Sequence, residues 1–453
     1  MGDMPDPRFP QPSPAQEHAL DYTRFLADSP TAYHAADLVA QRLADAGFAR
    51  QDEREPWDAS PGGHVLVRDG AAMAWVVPQE VAPDAGFRIV GAHTDSPMFS
   101  LKPNPSTATA DGWGQLGVEV YGGMIWNSWL DRELAVAGRL LTRDGREVLV
   151  RTGALARIPQ LAIHLDRGVN PDGLRLDPQR HLHPVWTVDQ PDADVLERVA
   201  LDAGLDAATD IAACDLFLVA SQGPGFFGSD GQFVAAGRQD NLSSVHAALA
   251  ALERLASAGG GTGAGGEASP SFPPVAGDVW VLACFNHEEV GSATRSGAAG
   301  PILEDVLRRT AAALGRDAEG TARMIAASSC VSSDAGHSVH PNYADRHDPD
   351  TRPVMGRGPM VKINASQRYA SDAVGTALWN RSCEVAGVAH QAFVSNNAMP
   401  CGSTIGPITA TRLGITTVDV GIGLLSMHSA REMSHIDDLL GLSAALEAYW
   451  LGA

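Results

Sequence analysis

Apolar and polar positions follow two rhythms along this chain. From Thr31, TAYHAADLVAQRLADAGF places Ala35, Leu38, Val39 and Leu43 on one helical face, with Ser29 as N-cap, Pro30 at the first helical position and Gly47 as the stop. HVLVR and AMAWVV read as strands, and FRIVGA, apolar but for Arg88, reads as a buried strand. From about Pro103 to Phe233 the runs shorten. LGVEVY, GRLLTR and EVLVR are separated by Gly, Asp and Pro, and only DADVLERVALDAG predicts a helix. Helix and strand then alternate again through NLSSVHAALAALERLASA, VWVLACFN, PILEDVLRRTAAALG and MIAASSCV. The pattern predicts an α/β domain with a central mixed sheet flanked by helices over 15–102 and 237–453, interrupted by a β-rich insert at 103–236. Pro-rich residues 1–14 predict a flexible tail, and Gly-rich residues 257–274 a flexible loop.

A length of 453 residues agrees with more than one hydrophobic core. The formal charge of -21 excludes a nucleic-acid or anionic-membrane partner, since either needs a counter-charged surface. No run approaches the ~20 apolar residues that span a bilayer. Residues 1–14 lack the basic start and apolar centre of a secretion signal, and the five cysteines are odd in number and mostly within apolar runs. A cytoplasmic protein with reduced thiols is expected.

Five hydrophobic runs end in a metal-type ligand. FRIVGA leads into His93-Thr94-Asp95, FVAAGRQ into Asp240, VWVLACFN into His287-Glu288-Glu289, MIAASSCVSS into Asp334, and TTVDVGIGLLSM into His428. In open α/β sheets ligands collect beyond the carboxyl ends of strands, so carriers distant in sequence converge there. Imidazole and carboxylate without thiolate suit zinc, manganese or cobalt, and an excess of carboxylates suits two ions. Singly these residues have plainer readings: a surface His beside a turn-forming Asp, an N-cap at Asp240, an exposed His-rich turn around Asp334, His337 and His340. Glu288 and Glu289 are harder to dismiss, because two acids directly after a buried strand need partners or an ion. Glu289 is read as a ligand, and Glu288 as the general base that takes a proton from the attacking water and passes it to the leaving amine. Asp95 is read as holding the second nitrogen of His93. One ion would be held by His93, Asp240 and Glu289 and the other by Asp240, Asp334 and His428, or the same sets with the Glu and Asp exchanged, ~3.5–4 Å apart.

GAHTDSP, RQDN, NHEEVGS, SSDAGHSVHPNY, QRYAS and MHSAREM occur in the order and spacing of the aspartyl aminopeptidases, and from about Ala15 onward the chain resembles that family of dinuclear zinc peptidases. The resemblance implies that the insert is a dimerisation domain and that dimers build a homododecamer enclosing its active sites. It places the ligands at His93, Asp240, Glu289, Asp334 and His428, the orienting acid at Asp95 and the base at Glu288. Substrate contacts fall on His164, His337, Lys362 and Tyr369, with His164 reaching a neighbouring subunit's site to stabilise the oxyanion. Lys362 would bind the side chain of an N-terminal Asp or Glu, supplying the local cation that an acidic substrate needs on an acidic protein. Taken alone, Lys362 would be an ordinary exposed lysine.

The expected activity is removal of one N-terminal residue, preferably Asp or Glu, from peptides with a free N-terminus. Three rival readings stand beside it: an aminopeptidase preferring neutral residues, a dinuclear amidohydrolase acting on small amides, and a non-catalytic assembly protein stabilised by its metal.

Overall fold

The computed structural model describes residues 11–258 and 277–453. Most of the expected tail and Gly-rich loop therefore lies outside the described residues, while Ser257 belongs to the helix Gln239–Ala258. The central sheet has nine strands in the order Ala49–Arg50, Gly62–Arg68, Ala71–Val77, Val279–Phe285, Phe87–His93, Ser329–Ser333, Thr416–Gly421, Met360–Ile363 and Gln391–Val394. Its middle four, from Val279–Phe285 to Thr416–Gly421, run parallel, and antiparallel neighbours flank them. The sheet is thus mixed and flanked by helices, as the sequence pattern predicts.

Alternation along each strand feeds two cores. Val90 and Ala92 face the helices Pro14–Asp28, Gln239–Ala258 and Ile436–Trp450. Phe87 and Ile89 face the opposite side, against Ile302, Leu303 and Val306 of the helix Ile302–Ala313. Both faces are covered, and the candidate ligands sit at or just beyond strand ends.

Seven further strands between Met98 and Ala220 form a second sheet. Ile211–Ala220 pairs with both Met98–Ala108 and Glu133–Thr142, so the pairings close on themselves around Phe99, Leu116, Leu134, Val136 and Leu218. Phe233–Ala236, placed by the sequence pattern in the insert, pairs with Gly225–Phe227 and Glu432–His435 in a separate three-stranded sheet. The helix expected from Ser29 also starts later. Ser13 caps a helix at Pro14–Asp28 through a full capping box with Gln16, Ser29-Pro30 breaks the chain, and the next helix is Ala32–Asp45. No described helix is long and apolar enough to cross a membrane. The cysteines are unpaired, and Cys284, Cys330 and Cys383 are buried.

The first helix docks through a buried polar cluster. The rings of His18 and His246 lie tilted at 57° with centroids 4.8 Å apart, and His246 Nε2 lies 2.7 Å from Asp21 Oδ2. Burial, then His246 and Arg254, push His18 down to about 2. Between an unfolded value near 6.5 and about 2, the unfolded chain binds a proton that the native state refuses, so stability falls as pH falls through that window. The slope from this one group approaches about 1.4 kcal/mol per pH unit. His18→Leu should therefore lose less stability than wild type between pH 7 and pH 5 in denaturant titrations. Parallel losses would refute a neutral His18.

Candidate metal centre

The carboxyl ends of adjacent parallel strands bring the ligand-type side chains together. His93 ends its strand and is 1% exposed, Asp334 follows Ser329–Ser333, and Glu288 and Glu289 lie in a short turn after Val279–Phe285. Asp240 enters from the first turn of Gln239–Ala258, where Asp240 and Asn241 keep non-helical torsions and the regular helix starts after them. Ligand atoms of His93, Asp240 and Asp334 lie within 4.8 Å of one another, as do those of Asp240, Glu289 and His428. Of the two partitions read from the sequence, the geometry assembles the one with Glu and Asp exchanged, and Asp240 is common to both sets. A third such group joins His93, Glu288 and Glu289.

Tautomers follow from the hydrogen bonds. His93 Nδ1 lies 3.0 Å from the Asp95 carbonyl oxygen and His428 Nδ1 2.9 Å from that of Gly123. A carbonyl only accepts, so each Nδ1 carries the proton and each neutral ring turns the lone pair of Nε2 inward. His93 Nε2 then faces Asp240 Oδ1 at 3.4 Å and Asp334 Oδ1 at 3.5 Å, while His428 Nε2 faces Asp240 Oδ2 at 3.3 Å and Glu289 Oε1 at 3.4 Å. Lone pairs facing carboxylates repel unless a proton or a metal ion stands between them. Against the effect of burial, Asp240 and Glu289 raise His428 to about 10, the direction expected where carboxylates favour a cation. Asp240 Oδ1 and Glu289 Oε1 are buried without a hydrogen-bond donor. The donor set, its geometry and these orphaned oxygens fit divalent zinc.

Asp95 acts differently from its sequence reading. Its main-chain oxygen holds His93, with the carboxylate farther off at 3.5 Å. The carboxylate instead accepts from the amides of Glu288 at 3.0 Å and Glu289 at 3.1 Å, and from the Tyr121 hydroxyl at 2.7 Å. Tyr121 comes from the second sheet, and nothing in LGVEVY marks it as part of the site. Glu288 is pushed up to about 7, first by burial and, with His93 opposing, by Asp334, Asp240 and Asp95.

Beside the cluster lies a cavity of about 360 Å³ lined by His337, His340, Tyr369, Phe393, Met399 and Met427 among others. Lys362, next to the lining Tyr369, is 1% exposed, not the exposed lysine that sequence alone suggests. Its Nζ donates to the Ala335 carbonyl at 3.0 Å, lies 3.6 Å from Asp334 Oδ2 and stands 5.3 Å from the centroid of the Tyr369 ring. His164 is exposed on the second sheet's unit and does not line this cavity.

Fold and cluster together define an α/β metallohydrolase. The family described as "Aminopeptidase I zinc metalloprotease (M18)" matches residues 25–450, and the chain belongs to it. It is 49% identical over 438 residues to the "Probable M18 family aminopeptidase 2" of Streptomyces avermitilis, covering 96% of this chain and 98% of that one. Identity to the protein of the same description from Mycobacterium leprae is 41% over 444 residues, covering 95% and 98%. Among solved structures, the "Cryo-EM structure of the Ape4 and Nbr1 complex" superposes with a TM-score of 0.89 at 32% identity, covering 96% of this chain and 86% of that chain. The "Structure of S. cerevesiae mApe1 dodecamer" gives 0.81 at 26%, covering 96% and 97%.

Proposed function

We propose that this aminopeptidase removes a single N-terminal residue, preferably Asp or Glu, from peptides, with two divalent ions held by His93, Asp240, Asp334, Glu289 and His428. The observation that carries the reading is the convergence of four ligand-type side chains, His93, Asp334, Glu289 and His428, on Asp240 with Glu288 alongside. Ions so bound would polarise the scissile carbonyl and acidify water. Glu288 removes the proton from the attacking water and delivers it to the departing amine, a transfer suited to a carboxyl poised near neutrality. Asp95 fixes the turn that carries Glu288 and Glu289 through two amide hydrogen bonds.

Acidic selectivity rests on Lys362. With Asp334 serving a bound ion, the Lys362 ammonium would be available to a substrate carboxylate, with His337 and Tyr369 along the cavity wall. His164 is proposed to hold the oxyanion in a neighbouring subunit's site. It lies between the exposed Leu161, Ile163 and Leu165, apolar side chains that favour a protein contact. The second sheet is accordingly the proposed dimerisation domain, and a homododecamer built from dimers is proposed by likeness to the mApe1 dodecamer. Free, mostly buried thiols favour a cytoplasmic location.

The test is release of the N-terminal residue from matched Asp-, Glu- and Leu-peptides before and after chelation, with zinc, manganese or cobalt then returned. Metal-restored cleavage should favour Asp and Glu, whereas cleavage that survives chelation sinks the metal mechanism. Lys362→Ala should cost about 10- to 100-fold more on Asp- than on Leu-peptides, the worth of one charge-assisted hydrogen bond. Equal losses would remove Lys362 from selectivity.

A further inference from the structure

One buried carboxylate belongs to none of the ligand groups yet touches the turns of two of them. Glu432 is 1% exposed and opens the strand Glu432–His435, opposite Ala236. Its Oε2 accepts from the amides of Gln239 at 2.6 Å and Asp240 at 3.1 Å, and its Oε1 accepts from the amide of His428 at 2.7 Å. The Gln239 side chain returns the contact, donating to the Glu432 carbonyl at 2.8 Å while its own oxygen accepts from Ser434 Oγ. The turn before Asp240 and the turn bearing His428 are therefore tied to one carboxylate, although the two residues lie 188 positions apart in sequence. Asp240 is the side chain shared by both candidate ion sets, and His428 completes the second.

We propose that Glu432 is a positioning residue that sets the metal affinity of the centre by locking the Asp240 and His428 turns to each other through their main-chain amides. The proposal rests on the ligand assignment above. Three main-chain amides, at 2.6, 3.1 and 2.7 Å, converge on the two oxygens of this one side chain, so neither turn can shift without losing a hydrogen bond. Loss of such outer contacts at metal sites costs about 10- to 100-fold in affinity. A Gln at this position has one accepting oxygen and an NH₂ that cannot accept, so at least one turn loses its anchor.

The full chain, stripped by chelator, is titrated with zinc against a competing indicator, with ions per chain counted by elemental analysis. Glu432→Gln should need about 10- to 100-fold more free zinc than wild type and reach the same final stoichiometry. Glu432→Asp keeps the charge but shortens the reach by a methylene. It should weaken binding in the same direction, and it decides the question if the Gln variant does not fold. Wild-type zinc affinity in either variant would overturn the proposal, even with a lowered melting temperature of the stripped protein, because the residue would then serve folding alone. Absence of zinc binding by the wild-type chain would instead sink the ligand assignment itself, together with the proposal.

Discussion

Replacing Glu288 with Gln should lower kcat by about 10²- to 10⁴-fold, the span of general acid–base assistance, while zinc content and KM stay near wild type. The two ion sets that share Asp240 do without Glu288, and its carboxyl is poised at about 7 by burial and by the surrounding acids. Only the ionised form accepts a proton, so activity rises with pH as this group deprotonates. Cations among Asp240, Asp334 and Glu289 cancel part of the repulsion that raises it, which places the acid limb of kcat/KM below 7 in the metal-loaded enzyme. Rate profiles and metal analysis on the same preparations check both statements. Because His93, Glu288 and Glu289 also form a compact group, a Gln variant that loses zinc would make Glu288 a ligand and leave the base unassigned.

The candidate ligand positions stood out in the sequence for a physical reason. Strands buried on both faces are rich in apolar and small residues, so a His or acid at the end of such a run stands out, and Phe87–His93, Val279–Phe285 and Ser329–Ser333 lie side by side and parallel. How the ligands divide between two sets was not legible, since it turns on ångström-scale distances around Asp240. The helix Pro14–Asp28 carried its own start signal in Ser13 and Gln16, together with an apolar face of Ala19, Tyr22, Phe25 and Leu26. The Pro-rich residues ahead of it masked that signal. Tyr121 and Glu432 escaped because their partners lie far away in sequence. Tyr121 reaches Asp95 from the other sheet, and Glu432 gains its role only when Phe233–Ala236 pairs with Glu432–His435. Asp95 also shows the limit of spacing arguments: H-x-D fixes which residues are neighbours, but whether the main-chain oxygen or the carboxylate meets His93 depends on the turn that supplies the Glu288 and Glu289 amides.

Glu289→Gln should give the opposite phenotype from its neighbour: loss of zinc from the Asp240–Glu289–His428 set and at least about 10³-fold loss of activity, with a metal-free protein no less stable than wild type. In the metal-free chain Glu289 is held well above the usual carboxylate range, first by burial and, with the histidines opposing, by Asp240 and Asp95. Its native form therefore keeps a proton that the unfolded chain releases near 4.5, so stability contributed by the protonated group is lost as pH rises toward the raised value. A Gln cannot ionise and removes that loss. Melting temperatures of stripped wild type and variant should diverge in the variant's favour from pH 5 to pH 8, while added zinc stabilises wild type more. Stabilisation by zinc follows the ratio of ligand concentration to Kd, so a variant that has lost one ion site keeps only part of the increment. If zinc stabilised both proteins equally, Glu289 would not be a ligand. Adjacent glutamates, one losing turnover and keeping metal, the other losing metal, would separate base from ligand more sharply than any structural distance can.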